Sequence, residues 1–270
     1  MLKKILSFLV PAVTAITAGG LHHLGNDTNG VKTGVKVTTN AKVSTNVKVN
    51  VNTSKKTSGS ISREAAGEVN SFRFDSLGNV TVIGGGEEGA GCELSYEIQG
   101  PSQEICDLIS GSLDVKCSIE DGVLSIDYYC GGVKLNSSIE ELYEGYNLSA
   151  DLTVRVPDSV KDQSIRTSIG NITMKNVSGY FDLNTSLGNV SLDTVRSSDG
   201  SVFKTQLGNI TAEALALDGS GELSAVQGNI TVNSDQLELR DGAICSTEAP
   251  GNELAVSTGL GNIRFNNNKI

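Results

Sequence analysis

The sequence predicts an all-β fold, a single-stranded parallel β-solenoid (β-helix) with stacked Gly-Asn corners, preceded by a more irregular β-rich section. Two observations lead there. One apolar-Gly-Asn-apolar phrase occurs six times: SLGNV at 76–80 and again at 186–190, SIGNI at 168–172, QLGNI at 206–210, VQGNI at 226–230 and GLGNI at 259–263. The composition is rich in Gly (31 of 270 residues), has no Trp and only 4% aromatics, which suits short strands joined by tight turns.

Along the chain, residues 1–20 (MLKKILSFLVPAVTAITAGG) place Lys3 and Lys4 before 14 uncharged residues, Ile5 to Ala18, and end in small side chains. That is the pattern of a secretory signal peptide, with an uncleaved anchor as the alternative and membrane proximity through the N-terminus as its consequence. The run is short for a membrane span, and Pro11 interrupts it.

Residues 21–62 form a basic arm and linker, six Lys against Asp27, whereas residues 63–270 hold 13 basic against 30 acidic side chains. Within the arm, 31–53 alternates β-branched residues with Lys, Asn, Gly, Ser or Thr, in the repeats TGVKVT, TNAKVS and TNVKVN. Period two of this kind is a half-buried strand. Two readings stand: a polar linker that alternates by composition, or a strand that pairs with another chain's edge. Residues 54–62 (SKKTSGSIS) read as linker.

The body, 63–270, opens with strand, corner and strand in SFRFDSLGNVTVIGG (71–85). Cys92, Cys106, Cys117 and Cys130 follow at spacings of 14, 11 and 13, with Cys245 left over. In an exported chain two disulfides among the four are expected, in any of three connectivities, with buried free thiols as the alternative. Zinc spacing is absent. Glu104 to Ser110 reads as a short helix, 122–130 and 148–158 as strands, and EELYEGY (140–146) as an exposed acidic loop.

From 158 to 270 there is room for five or six rungs, and the middle corners, 170 to 228, fall at intervals of 18, 20 and 20 residues, within the range of solenoid repeats. The pairs Gly78-Asn79, Gly170-Asn171, Gly188-Asn189, Gly208-Asn209, Gly228-Asn229 and Gly261-Asn262 are the expected structural corners. Gly permits positive φ, and Asn supports a turn through its amide and can bond from rung to rung. Flanking residues such as Leu187, Val190, Leu207 and Ile210 are expected to point into a shared core. The same Asn residues at 79, 171, 189, 209 and 229 start Asn-x-Ser/Thr triplets, the glycan acceptor pattern, here a by-product of an Asn corner running into a β-branched strand.

SFRFDSLGNVTVIGG, with LSADLTVRVPDSVKDQSIRTSIGNITMKNVSGYFDLNTSLGNVSL at 148–192, resembles the putative-adhesin family of bacterial and archaeal β-strand-repeat proteins, a domain of unknown function. The likeness covers roughly 68–270 and rests on Gly78-Asn79-Val80-Thr81-Val82, Val156-Pro157 and the Ser-x-Gly-Asn-Ile rungs. It implies a β-solenoid that is exported or envelope-associated, with relatives near envelope-stress systems and no catalytic residue. The arm and the clustered Cys fall outside that pattern.

Function is read mainly by exclusion. A net charge of −10 excludes nucleic acid as a partner. The only His residues, His22 and His23, stand beside the signal-like segment, so body chemistry relying on His is excluded. No phosphate-cradling or calcium β-roll pattern occurs, and no metal or cofactor is expected. A non-catalytic scaffolding or adhesive protein with an unidentified envelope or surface partner fits best; a regulatory protein-binding module of an envelope-stress system is the alternative. A polysaccharide-acting solenoid enzyme would draw its carboxylates from Asp182 and Asp193, or Glu213 and Asp218. Oligomeric state is left open.

Overall fold

The computed structural model describes residues 54–86, 89–136 and 138–267; the signal-like segment and the alternating arm lie outside them. The chain is all-β, with a single α-helix among the described residues. The first section holds β1 (Lys55–Ala65), β2 (Ser71–Ser76), β3 (Asn79–Gly86), β4 (Ala90–Gly100), α1 (Gln103–Ser112), β5 (Leu113–Glu120), β6 (Val123–Cys130), β7 (Val133–Leu135) and β8 (Asn147–Pro157). The repetitive section holds β9 (Asp162–Ile169), β10 (Ile172–Leu187), β11 (Val190–Ser198), β12 (Ser201–Leu207), β13 (Ile210–Glu213), β14 (Ala216–Asp218), β15 (Gly221–Gln227) and β16 (Ile230–Asn233). It closes with β17 (Leu237–Arg240), β18 (Ala243–Ser246), β19 (Glu253–Leu260) and β20 (Ile263–Asn266).

All twenty strands join in one open sheet of mixed direction. A uniformly parallel sheet was the expectation, and it describes only part of the molecule. Two parallel ladders exist. Strands that follow a corner pair in the order β3-β10-β11-β13-β16-β20, with β8 parallel beside β3 at the first end. Strands that precede a corner pair in the order β2-β9-β10-β12-β15-β19. The long β10 bends and serves both. Around these ladders the pairing is antiparallel: β1-β4-β8, β5-β6-β7 and β17-β18-β19. In β5-β6 and β17-β18 the cause is local, since the hairpin turns Asp121-Gly122 and Asp241-Gly242, all at positive φ, reverse the chain within two residues, whereas β1-β4 and β4-β8 pair over long sequence separations.

The core is a set of straight columns. Leu152, Val80, Ile172, Val190, Ile210 and Ile230 stack in register on one side, and Phe74, Ile165, Leu183, Phe203 and Leu223 on the other; all are buried. One strand cannot hide its apolar face, so each level is stabilised by the next. Residues 54–62, expected as linker, instead form most of β1 and pair with β4 residue for residue. The helix reading holds: Ser102 caps α1 through its hydroxyl, and Cys106 and Ile109 face inward. The 140–146 stretch, expected as an exposed loop, begins in a 3-10 turn (Ile139–Glu141) and tucks two residues in, Tyr146 buried and Tyr143 partly so.

A second bend went unread in the sequence. Between the paired residues Lys175/Asp193/Glu213 and Val177/Val195, the strands kink at Asn176, Thr194 and Ala214, with φ of 53°, 56° and 55°. Asn tolerates this conformation, whereas a β-branched residue resists it. Thr194→Asn, which copies Asn176 at an exposed position, is expected to stabilise the chain by about 1 kcal/mol. A urea melt with an unmoved or lower midpoint would contradict it.

Candidate interaction surface along the corner column

The six corners form one column in the order 78, 170, 188, 208, 228, 261. A Cβ added at Gly170 would lie 2.3 Å from the Gly78 carbonyl oxygen; at Gly188, 2.0 Å from that of Gly170; at Gly208, 1.9 Å from that of Gly188; and at Gly228, 1.7 Å from that of Gly208. Gly78 stands in the same relation to Ala150 and Gly261 to Gly228. Positive φ, the expected reason for glycine, is absent at Gly78 and Gly188. The common cause is the close approach of successive backbones, which leaves no room for a side chain.

Asn amides run beside that column. The backbone N–H of Asn171 donates to Asn79 Oδ1 (2.8 Å), Asn189 to Asn171, Asn209 to Asn189 and Asn229 to Asn209 (2.8 Å each), and Asn262 to Asn229 (2.9 Å). Asn79 Nδ2 ends the series on Asp151 Oδ1 (2.7 Å). Asn171 Nδ2 also donates to Asn79 Oδ1 (3.1 Å), so a sugar on that amide nitrogen would break a bond of the ladder.

A further part of the motif was missed. Thr167, Thr185, Thr205 and Thr258, each three residues before a corner Gly, turn their hydroxyls inward and donate to the preceding corner's carbonyl. The signal was present as Thr-x-apolar-Gly-Asn in four of the six copies. Buried hydroxyls need such partners.

The residue before the Gly supplies the outer surface at five of the six corners; at the first, Leu77 packs partly buried against the core. Val190 and Ile210 are buried as expected, but Leu187 and Leu207, expected inside, are 44% and 45% exposed. Ile169 and Leu260 are 66% and 67% exposed. Ile169, Leu187, Leu207, Gln227 and Leu260 are register partners, so they make a straight row at one strand spacing, apolar at four of five places. Two grooves flank its start. One, of about 740 Å³, runs past Arg166, Ile169, Asn184 and Gln206. The other, of about 450 Å³, lies between Leu77, Ile139 and Ile169.

A separate cleft of about 480 Å³ opens where β2 parts from β6 after two paired residues. Arg73, Arg166, Asp75, Asp127, Lys134 and Tyr128 line it. Lys134 bonds Asp127 at 2.7 Å, and that hydrogen bond and charge hold its ammonium pKa above the ordinary value. Burial pushes the Tyr128 phenol up to about 12 against a weak opposing bond from Ser76.

The cysteines give one bridge, Cys92–Cys117, which ties β4 to β5. Cys106 and Cys130 are free and buried, as is Cys245, so a second bridge among the four is absent. Cys106 lies on the inner face of α1 and Cys130 beside Ser112, which places each thiol in packing.

Nor do the candidate carboxylates assemble as proposed. Asp182 and Asp193 fall on different ladders, and Asp182 pairs with Arg166. Glu213 accepts from Asn233, and Asp218 pairs with Arg196 at 2.6 Å. The register sets Asp193 beside Glu213 at the surface, and none of the four lines a groove named above.

No family model and no curated protein matches the chain. Among solved structures it is similar to a putative cell adhesion protein from Clostridium sporogenes ATCC 15579, at 13% identity and a TM-score of 0.39, covering 78% of this chain and 99% of that one. It is similar also to a putative adhesin from Bacteroides fragilis NCTC 9343, at 15% identity and a TM-score of 0.32, covering 77% and 97%. A third, a putative adhesin from Parabacteroides merdae ATCC 43184, shares 10% identity at a TM-score of 0.32, covering 78% and 96%.

Proposed function

We propose that the chain is a non-catalytic, exported or envelope-associated scaffold. In this reading its corner-bearing levels are the rungs of a single-stranded solenoid, most regular over 158–270, and its body begins at β1. The apolar row along the corners docks on an envelope or surface partner. One observation carries the reading: Ile169, Leu187, Leu207 and Leu260 stand exposed in a line, while the core columns behind Ile169, Leu187 and Leu207 are buried without them. A contiguous apolar stripe on a soluble surface marks an interaction site. The six Gly-Asn corners support it too, because their groups are spent on backbone approach and on each other. Export is drawn from the signal-like order of residues 1–20.

The test is co-sedimentation of the purified chain with cell envelopes of its host. Ile169→Ser/Leu187→Ser/Leu207→Ser is expected to lose about tenfold or more in binding. Its melting temperature should stay near the parent's, since exposed substitutions cost about 0.5 kcal/mol or less each. Equal binding by parent and variant would remove the row from the function, and a parent that leaves the envelope unbound would remove the function itself.

A further inference from the structure

The stack is finished differently at its two ends. At the first, β4 covers β8 and β1 covers β4. Edge strand β1 is guarded by charge, with Lys56 paired to Glu97 and Arg63 to Asp114. Such charges discourage a further strand. At the last level, β20 pairs only with β16 among the described residues, and β19 is covered on its outer side only at its first two residues. The core column records the difference: Ile230 is 0% exposed, and Ile263, next in register, is 46% exposed. Phe265, above buried Val232, is only partly covered, and Arg264 is the one charge on β20. This end is a core without its next layer.

The chain contains a segment with the order of that layer. Strands after a corner read Asn-apolar-polar-apolar, as in Asn79-Val80-Thr81-Val82 and Asn262-Ile263-Arg264-Phe265. Asn46-Val47-Lys48-Val49, in the basic arm outside the described residues, has the same order. Added in the register of the other levels, Val47 and Val49 would fall over Ile263 and Phe265, and the N–H of Asn46 would meet Asn262 Oδ1, the last acceptor of the ladder. Thr45 stands where a corner needs Gly, so the segment suits a straight strand that ends the column. Charge agrees: the arm is basic, and 234–267 carries five carboxylates against two Arg.

Asn46–Val49 of the same molecule cannot reach the place. Six residues lead from Val49 to Lys55 at the start of β1, about 20 Å at full stretch. From β1 through β4, β8, β3, β10, β11, β13, β16 and β20 to a strand beyond is nine spacings, about 43 Å. We infer that Asn46–Val49 of one copy adds as a strand to β20 of a second copy, so that copies of this chain link head to tail. The inference stands on the open last level and does not depend on export or on what the apolar row binds.

Sedimentation velocity of the full chain over a hundredfold concentration range tests it, with Val47→Glu/Val49→Glu in the arm and Ile263→Glu on β20. The parent is expected to gain mass with concentration, and each variant to associate about tenfold or more weakly. An equal mixture of the two variants should regain pairs that do not grow, because the arm of the Ile263→Glu copy still fits β20 of the arm variant. If Ile263→Glu proves unfolded by circular dichroism, the arm variant, which alters no described residue, decides alone. A parent that stays monomeric, an arm variant that associates like the parent, or two folded variants whose mixture fails to pair overturns the inference.

Discussion

Gly208→Ala is expected to cost the fold about 3 kcal/mol, the overpacking range at its upper end. The new Cβ would sit 1.9 Å from the carbonyl oxygen of Gly188 and 2.6 Å from its carbon. Both are backbone atoms, so no rotamer change relieves the contact. Moving Gly188 aside drives it toward the Gly170 carbonyl, which already lies 2.0 Å from where its own Cβ would be. The only relief is to widen the spacing between levels, and that breaks the hydrogen bonds that Gly188 donates to Leu207 and Asn209 to Asn189. Two other glycines calibrate the result. Gly242 has φ of 89° and open space around it, so alanine there meets only conformational strain, about 1 kcal/mol. Gly251 has neither neighbour nor positive φ, and alanine there should be neutral to about 0.5 kcal/mol. Urea melts are expected to rank the losses Gly208, Gly242, Gly251. Should Gly208→Ala prove as mild as Gly251→Ala, the corners are not packed backbone on backbone.

The corners were legible because their demand is steric and leaves the same letters each time: no Cβ at Gly78 through Gly261, and an amide just after. What surrounds them was less so. Counting by twos from inward-facing Leu183 and Thr185 puts Leu187 inside, but the chain turns at Gly188 and breaks the alternation one residue early, so Leu187 emerges into solvent. The exposed row was therefore read as core. The kinks at Thr194 and Ala214 left no trace, since neither residue type is a turn former and only tertiary stacking on Asn176 imposes the bend. Residues 54–62 have linker composition, yet from Lys55 on β4 pairs them residue for residue along one side, and pairing outweighs propensity. Of the antiparallel flanks, β5-β6 and β17-β18 follow from hairpin turns that a search for repeats passes over, and β1-β4-β8 from long-range pairing that leaves no repeat at all. Clustering of Cys in the sequence says only that bridges are within reach; the fold joins Cys92 to Cys117 and buries Cys106 and Cys130 elsewhere.

Alkaline stability should expose the cleft between β2 and β6. Tyr128 is buried at its wall, its hydroxyl 3.3 Å from Ser76 Oγ, and its pKa stands at about 12 against 10.0 for the free side chain. Burial is the larger cause, because it disfavours the phenolate. The sign follows from proton counting. Between pH 10 and 12 the unfolded chain has lost this proton and the folded chain keeps it, so the unfolded state binds fewer protons and stability falls as pH rises. Two pH units are worth about 3 kcal/mol by the top of that window. Below pH 10 both states hold the proton, and the group adds no slope. Tyr128→Phe removes the titration and keeps the ring in the core, at a cost near neutrality of about 1 kcal/mol for one long hydrogen bond. Other Tyr and Lys residues also titrate at high pH, so the difference between the two proteins isolates Tyr128. Urea unfolding from pH 8 to 12 is expected to show the variant less stable at pH 8 and more stable at pH 12, with the curves crossing in between. Parallel curves over that whole range would mean that the phenol ionises as freely in the fold as outside it, and that the cleft admits water to its wall.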